Sequence, residues 1–207
     1  MKLAQTVFLK QSFFEQHKDH TEILINKTGR PYLSLIIECG EKTFAIPFRT
    51  NIRHPYAFVF KTSGRTSEGK KGIPGIDFTK AVIIQQDDID RQCTIDKQEW
   101  VELNKNLTTI ISNFTEYLKK FVASLGTSNF DKLPVFKFSS LQYFVDDVKI
   151  VVGSLEKHFR LQLVKIFDRL MLEAFPGDRD HRRVGLYSPC IARLTEPVVS
   201  APRGYYP

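Results

Sequence analysis

At Asp96 the hydrophobic pattern of this 207-residue chain changes period. Before it, short apolar runs rich in β-branched residues are cut by turns. After it, apolar residues recur every three or four positions. One switch of this kind reads as a compact antiparallel sheet followed by helices packed on it, the α+β class.

The first half divides further. "YLSLIIEC", residues 32–39, and "KTFAIPF", residues 42–48, flank a Gly-Glu pair and read as a hairpin. "YAFVF" is a third short strand, "TSGRTSEGKKGIPG" a Gly/Ser/Lys loop, and "IDFTKAVII" a fourth strand. In the second half Asp96 stands three residues before Glu99, as a helix N-cap does. Trp100, Leu103, Leu107, Ile110, Ile111, Phe114, Leu118 and Phe121 follow at helical spacing, predicting one long helix over a sheet face. "KLPVFKF" interrupts it. Ser139–Val152 reads as a second helix and Leu155–Ala174 as a third, whose stripe of Leu155, Phe159, Leu163, Ile166, Phe167 and Leu170 leaves Lys157, His158, Arg160, Lys165 and Arg169 to solvent. Residues 1–175 are therefore expected to form one domain. Residues 176–207, rich in Pro, Gly and Arg and without periodicity, read as a C-terminal tail that is poorly ordered or an extension, with Cys190 a bystander in it.

No apolar run reaches the roughly 18 residues of a membrane helix, and the N-terminus meets charge too soon for a signal peptide. Three cysteines, 39, 93 and 190, offer neither a disulfide framework nor a metal knuckle, so a reducing, cytoplasmic setting without a membrane partner is expected. The formal charge is +7. Residues 49–72 hold six basic side chains, Arg49, Arg53, Lys61, Arg65, Lys70 and Lys71, against Glu68 alone, so six minus one gives +5 in 24 residues. Such a concentration suits a polyanionic partner and equally a solvated basic loop.

Motifs for nucleotide triphosphate, dinucleotide, serine-hydrolase and zinc chemistry are missing from the sequence. Of the five histidines only His17 and His20 are close in sequence, in "HKDH", which reads as a surface loop; neither a metal nor a cofactor is expected. The richest chemistry lies in "PFRTNIRHPY", residues 47–56. A strand ending at Phe48 would release Arg49, Thr50, Asn51, Arg53 and His54 into a turn, where the arginines converge on a phosphate and His54 exchanges a proton near neutral pH. The plainer reading is a polar turn whose histidine packs on Tyr56.

The succession "NKTGRPYLSLIIECGEKTFAIPFRTNIRHPYAFVF" followed by "GIDFTKAVII" resembles the TenpN branch of the type III toxin-antitoxin toxins, related to ToxN and AbiQ. The likeness covers residues 5–90, and the helical half to about 173 by arrangement alone. It implies a strongly twisted antiparallel sheet or partial barrel of the MazF and Kid kind with packed helices. It also implies endoribonuclease activity, and inhibition by an RNA antitoxin of pseudoknot repeats in a closed protein-RNA assembly serving growth arrest or phage defence. Residue by residue, Thr50 matches a hydroxyl position, Arg53 the second basic position and His54 the histidine, while Arg49 and Asn51 stand where the family has a hydroxyl and a proline. Arg30 and Lys80 match positions where the family keeps a basic residue.

The implied chemistry is cleavage by the RNA's own 2′-OH, with Arg49 and Arg53 neutralising the phosphorane, His54 as acid or base and Thr50 orienting the reacting groups. Arg30, Asn51, Lys61, Arg65, Lys70, Lys71 and Lys80 would hold RNA, both antitoxin and cellular or phage substrate. Two alternatives stay open: a non-catalytic RNA-binding module stacking bases on Tyr32, Tyr56 or Phe58, and an interaction domain whose arginines bind an acidic protein.

Overall fold

A computed structural model describes residues 4–24, 32–61 and 73–174. The sheet-forming half contains β1 (Gln5–Leu9), α1 (Gln11–Gln16), β2 (Leu33–Cys39), β3 (Lys42–Ile52), β4 (Ala57–Val59), β5 (Ile73–Asp77), β6 (Val82–Ile84) and β7 (Ile89–Gln92). The helical half contains α2 (Lys97–Lys105), α3 (Leu107–Ser124), α4 (Ser128–Lys132), α5 (Pro134–Lys137) and α6 (Val145–Ala174). The class is α+β, as the single change of period predicts.

Every strand pairing is antiparallel, in the order β4-β5-β3-β2-β1-β7 with β6 also on β3. The sheet is not closed into a barrel; β4 and β7 stand at its two ends. It forks instead, because one edge of the 11-residue β3 is shared. Thr43–Ala45 pair with β6, while Phe48, Arg49 and Ile52 pair with β5. The predicted β2–β3 hairpin is present, with Cys39 opposite Lys42 across a two-residue loop. Its Gly40 sits at φ 61°, the left-handed region where a side chain would be strained.

Phe44 to Phe48 are buried without interruption, since both faces of β3 are covered. Successive side chains point to opposite faces. Phe44 meets Phe114 of α3 edge-on at 5.1 Å, and Phe78 packs on the same ring. Ala45 joins Val7, Leu9, Phe13, Phe14, Ile23, Val82 and Ile84 in a separate cluster backed by Tyr143 and Phe144. At Phe-sized positions each buried side chain contributes on the order of 2–3 kcal/mol.

Several elements differ from the sequence reading. β1, β7 and α1 are additional. The expected strand "IDFTKAVII" is interrupted by a 3-10 helix, Phe78–Lys80, because the Asp77 side chain accepts from the Thr79 amide and turns the chain. The expected single helix after Asp96 is two, since the Asn106 amide bonds the Glu102 carbonyl and Asn106 leaves helical geometry. The Asp96 cap itself is present, accepting from the Gln98 and Glu99 amides. The helices expected at 139–152 and 155–174 are a 3-10 turn, Ser140–Phe144, and one continuous α6.

By compactness the chain divides into residues 1–154 and 155–207. Within the second unit the expected apolar stripe is not a buried face: Phe159 is 62% exposed, and Leu163 and Ile166 are exposed too. Phe167, Arg169 and Leu170, like the tail 176–207, lie outside the described side chains. No described helix is long and apolar enough to cross a membrane.

Candidate functional site

β3 does not end at Phe48. It runs to Ile52, so Arg49, Thr50 and Asn51 are strand residues and not part of a free turn. A bulge displaces the register, with Arg49 opposite Gly75 and Ile52 opposite Ile73. That extra residue bends the strand end. The bend at 54–56 then leads into β4, and β5 lies between β3 and β4. Gly75 makes this sandwich possible: a Cβ there would run into the Phe58 carbonyl.

β5 ends on Asp77, whose side chain is fully buried (0% exposed). An ionised carboxylate in that position needs partners. It has them on both oxygens: Arg49 donates to Oδ2 at 2.8 Å, and the Thr79 amide and hydroxyl donate to Oδ1 at 3.0 and 2.7 Å. His54 Nε2 lies 3.2 Å from Oδ1. Burial alone would push the Asp77 carboxyl up; hydrogen bonds from His54, Thr79 and Arg49, with the charge of His54, outweigh it and hold the group below the usual carboxylate range. An ionised carboxylate only accepts, so Nε2 carries the hydrogen toward Asp77, and in the neutral ring it is Nδ1 that holds the lone pair. Nδ1 is buried and has no hydrogen-bond partner among the described residues, while the His54 side chain as a whole is 22% exposed. Arg49 is 33% exposed. One N–H of its guanidinium is committed to Asp77, and the fork has others.

The turn carrying Asp77 is anchored from behind. Ser139 and Ser140 donate to the carbonyls of Thr79 and Ala81 at 3.1 and 2.6 Å. The Tyr117 hydroxyl lies 2.9 Å from Ser139 Oγ and 3.0 Å from the Val135 carbonyl, and burial raises its pKa. Tyr56 packs on Tyr117 and Phe136 at 5.2 and 5.6 Å between ring centres, so its ring is half-buried and not an open stacking surface.

Of the predicted site residues, Arg49 and His54 are brought together on Asp77. Arg53 and Asn51 are not: the Arg53 Nε donates to Asn51 Oδ1 at 3.1 Å, an exposed pair. The expected convergence of both arginines on one phosphate is therefore replaced by an Arg49–His54 convergence, because strand geometry and the bulge aim Arg49 inward at Asp77. Thr50 is exposed on β3. Lys61 is exposed, and its backbone amide is held by both Glu102 oxygens at 2.9 and 3.2 Å. Lys80, 13% exposed, is tied to Glu22 at 2.6 Å and to the Phe138 carbonyl at 2.7 Å, an internal brace. Arg30, Arg65, Lys70 and Lys71 lie outside the described residues.

Sequence reasoning missed Asp77. The signal was an aspartate inside the apolar run "GIDF" with threonine two residues on, which reads as a buried Asx turn. It also missed the pairing of His17 with His20, whose Nδ1 atoms lie 2.9 Å apart; His20 stacks on Tyr143 at 4.0 Å, so the two histidines of "HKDH" are half-buried while Lys18 and Asp19 are exposed. Among the described residues no three His, Cys, Asp or Glu side chains are grouped to hold a metal ion. Comparison of the chain with protein-family models, curated proteins and solved structures finds no match in any of the three.

Proposed function

We propose that the chain is an endoribonuclease toxin of the type III toxin-antitoxin kind, cutting RNA without a metal and neutralised by a folded repeat RNA. The observation that carries this reading is the convergence of a partly exposed guanidinium, Arg49 of β3, and an imidazole, His54, on one buried carboxylate at the end of β5. Arg49 would place its remaining N–H groups on the non-bridging phosphate oxygens, where charge develops in the phosphorane. His54 Nδ1 would take the 2′-OH proton as that oxygen bonds to phosphorus, with Asp77 holding the ring's orientation and stabilising the imidazolium, while the P–O5′ bond breaks and the leaving oxygen takes a proton from water. Nδ1 is covered, so RNA binding must shift the bend at 54–56. Arg53, Asn51, Thr50 and Lys61, exposed or partly so, would contact the RNA backbone. On this reading the fold is MazF-like and ToxN-like in arrangement, and the toxin acts in the cytoplasm in a closed assembly of toxins alternating with RNA units.

The test is direct. Expression should arrest bacterial growth, and His54→Ala or Arg49→Ala should relieve it, with cleavage reduced about 10²–10⁴-fold for the histidine. Fragments should carry a 2′,3′-cyclic phosphate and a 5′-OH, EDTA should change nothing, and RNA with a 2′-O-methyl group at the cut should survive. Fragments with 5′-phosphates, or activity that needs added magnesium, refute the mechanism. A non-catalytic RNA-binding module is the second reading, favoured by the same covered Nδ1; RNA bound tightly but never cut would establish it.

A further inference from the structure

A groove that shares no residue with the Asp77 site runs along the β1–β7 end of the sheet, and we propose that it binds one nucleotide of RNA, the base against Trp100 and the phosphate at Lys97. Its volume is about 590 Å³, within the range of small-ligand sites. Gln5 and Thr6 of β1 and Gln92 of β7 line it from the sheet, and Cys93, Lys97 and Trp100 line it from the segment that enters α2. The lining is mostly apolar, with polar groups at a few points.

That floor is rigid. The Thr6 hydroxyl donates to the Cys93 carbonyl, and the Cys93 amide donates to the Thr6 carbonyl at 2.9 Å. Among the described residues, the side-chain amides of Gln5 and Gln92 and the indole N–H of Trp100 make no hydrogen bond, so donors and acceptors are held in reserve around a flat aromatic wall. A nucleobase is the ligand class with that complement: apolar faces for stacking and a polar edge for the amides. A purely apolar ligand would leave the amides unpaired, and a sugar phosphate would leave the indole uncovered. The anion contact falls to Lys97, which is exposed. The α2 N-terminus does not supply it, because the Asp96 carboxylate already takes the Gln98 and Glu99 amides.

The inference rests on the ribonuclease reading only for the source of the nucleotide; binding is read without cleavage. Trp100 is the chain's single tryptophan, so its fluorescence reports on the groove. In titrations of the full chain, AMP, UMP and a single-stranded tetranucleotide should quench it saturably, whereas ribose 5-phosphate, inorganic phosphate and a poly-glutamate peptide should not. The logarithm of affinity for a nucleoside monophosphate should fall with the logarithm of salt, because the exposed Lys97–phosphate pair is screened. Lys97→Gln should flatten the slope. Gln5→Ala combined with Gln92→Ala should weaken binding at unchanged slope, and Trp100→Leu, read by anisotropy of a labelled tetranucleotide, should weaken it about 5- to 150-fold. Absence of quenching at millimolar nucleotide, equal quenching by ribose 5-phosphate or by the acidic peptide, or tetranucleotide affinity untouched in Trp100→Leu overturns the proposal. Such a failure leaves the ribonuclease reading standing. Nucleotide binding here by a chain that cuts no RNA keeps the groove and removes that reading.

Discussion

Asp77 is the residue on which most of the site's geometry depends. Its folded pKa is depressed, so its contribution is present above the unfolded value of about 3.9 and is lost as pH falls through the folded value. His17 acts in a different window. Burial and the charge of His20 lower its pKa against a smaller opposing pull from Asp88, so protonation favours the unfolded chain. The unfolded state then binds more protons, and stability rises with pH up to about 6.5 and falls below it. Urea unfolding from pH 8 to pH 3 should therefore show two declines, one below about pH 6.5 and one below about pH 4. His17→Phe should erase the first and Asp77→Asn the second; a single decline insensitive to both variants would show that neither group is coupled to folding. Asp77→Ala, which strands Arg49 and His54, should cost on the order of 3–5 kcal/mol at pH 7.

At the scale of elements, β5 and α3 hold the site in place. Gly75 lies opposite Val59 with no room for a Cβ against the Phe58 carbonyl, and Gly75→Ala, forcing the strands apart, should cost about 1–3 kcal/mol and loosen Asp77 with them. Two phenylalanines on helical stripes make a sharper comparison. Phe114 of α3 is fully buried against Phe44 and Phe78, and Phe114→Ala should cost about 3–5 kcal/mol. Phe159 of α6 is mostly exposed, and Phe159→Ala should change stability by less than about 0.5 kcal/mol. Equal losses in the two, measured by urea midpoints at constant m-value, would mean that the Phe159 face is covered in solution.

For the whole molecule, the described basic residues of the 49–72 segment, Arg49, Arg53 and Lys61, do not meet at the centre of the site. Arg49 is drawn inward to Asp77, while Arg53 and Lys61 stay exposed. On the proposed ribonuclease reading, removal of Arg53 should weaken RNA binding and its salt dependence by about one phosphate contact, whereas removal of Arg49 should reduce cleavage more than binding. Filter binding over a salt series beside single-turnover cleavage separates the two, and a reversed pattern would place Arg53 at the reacting phosphate.

Much of this was legible in the chain itself. The change of period at Asp96, the β2–β3 hairpin around Gly40 and the Asp96 cap depend on neighbours within a few residues, and local pattern specifies them. His54 and Arg49 were also visible as candidates, because an interrupted apolar run draws attention to its polar residues. What tertiary structure alone decided is which partners those residues meet. Arg49 and Asp77 are 28 positions apart, Lys80 and Glu22 58 apart, and Ser139 and Thr79 60 apart. Such contacts follow from the register of β3 against β5 and from the bulge between Arg49 and Ile52, which no local pattern carries. The same holds for the two apolar helical stripes: periodicity makes them alike, and only the elements packed against each make one a core and leave the other exposed.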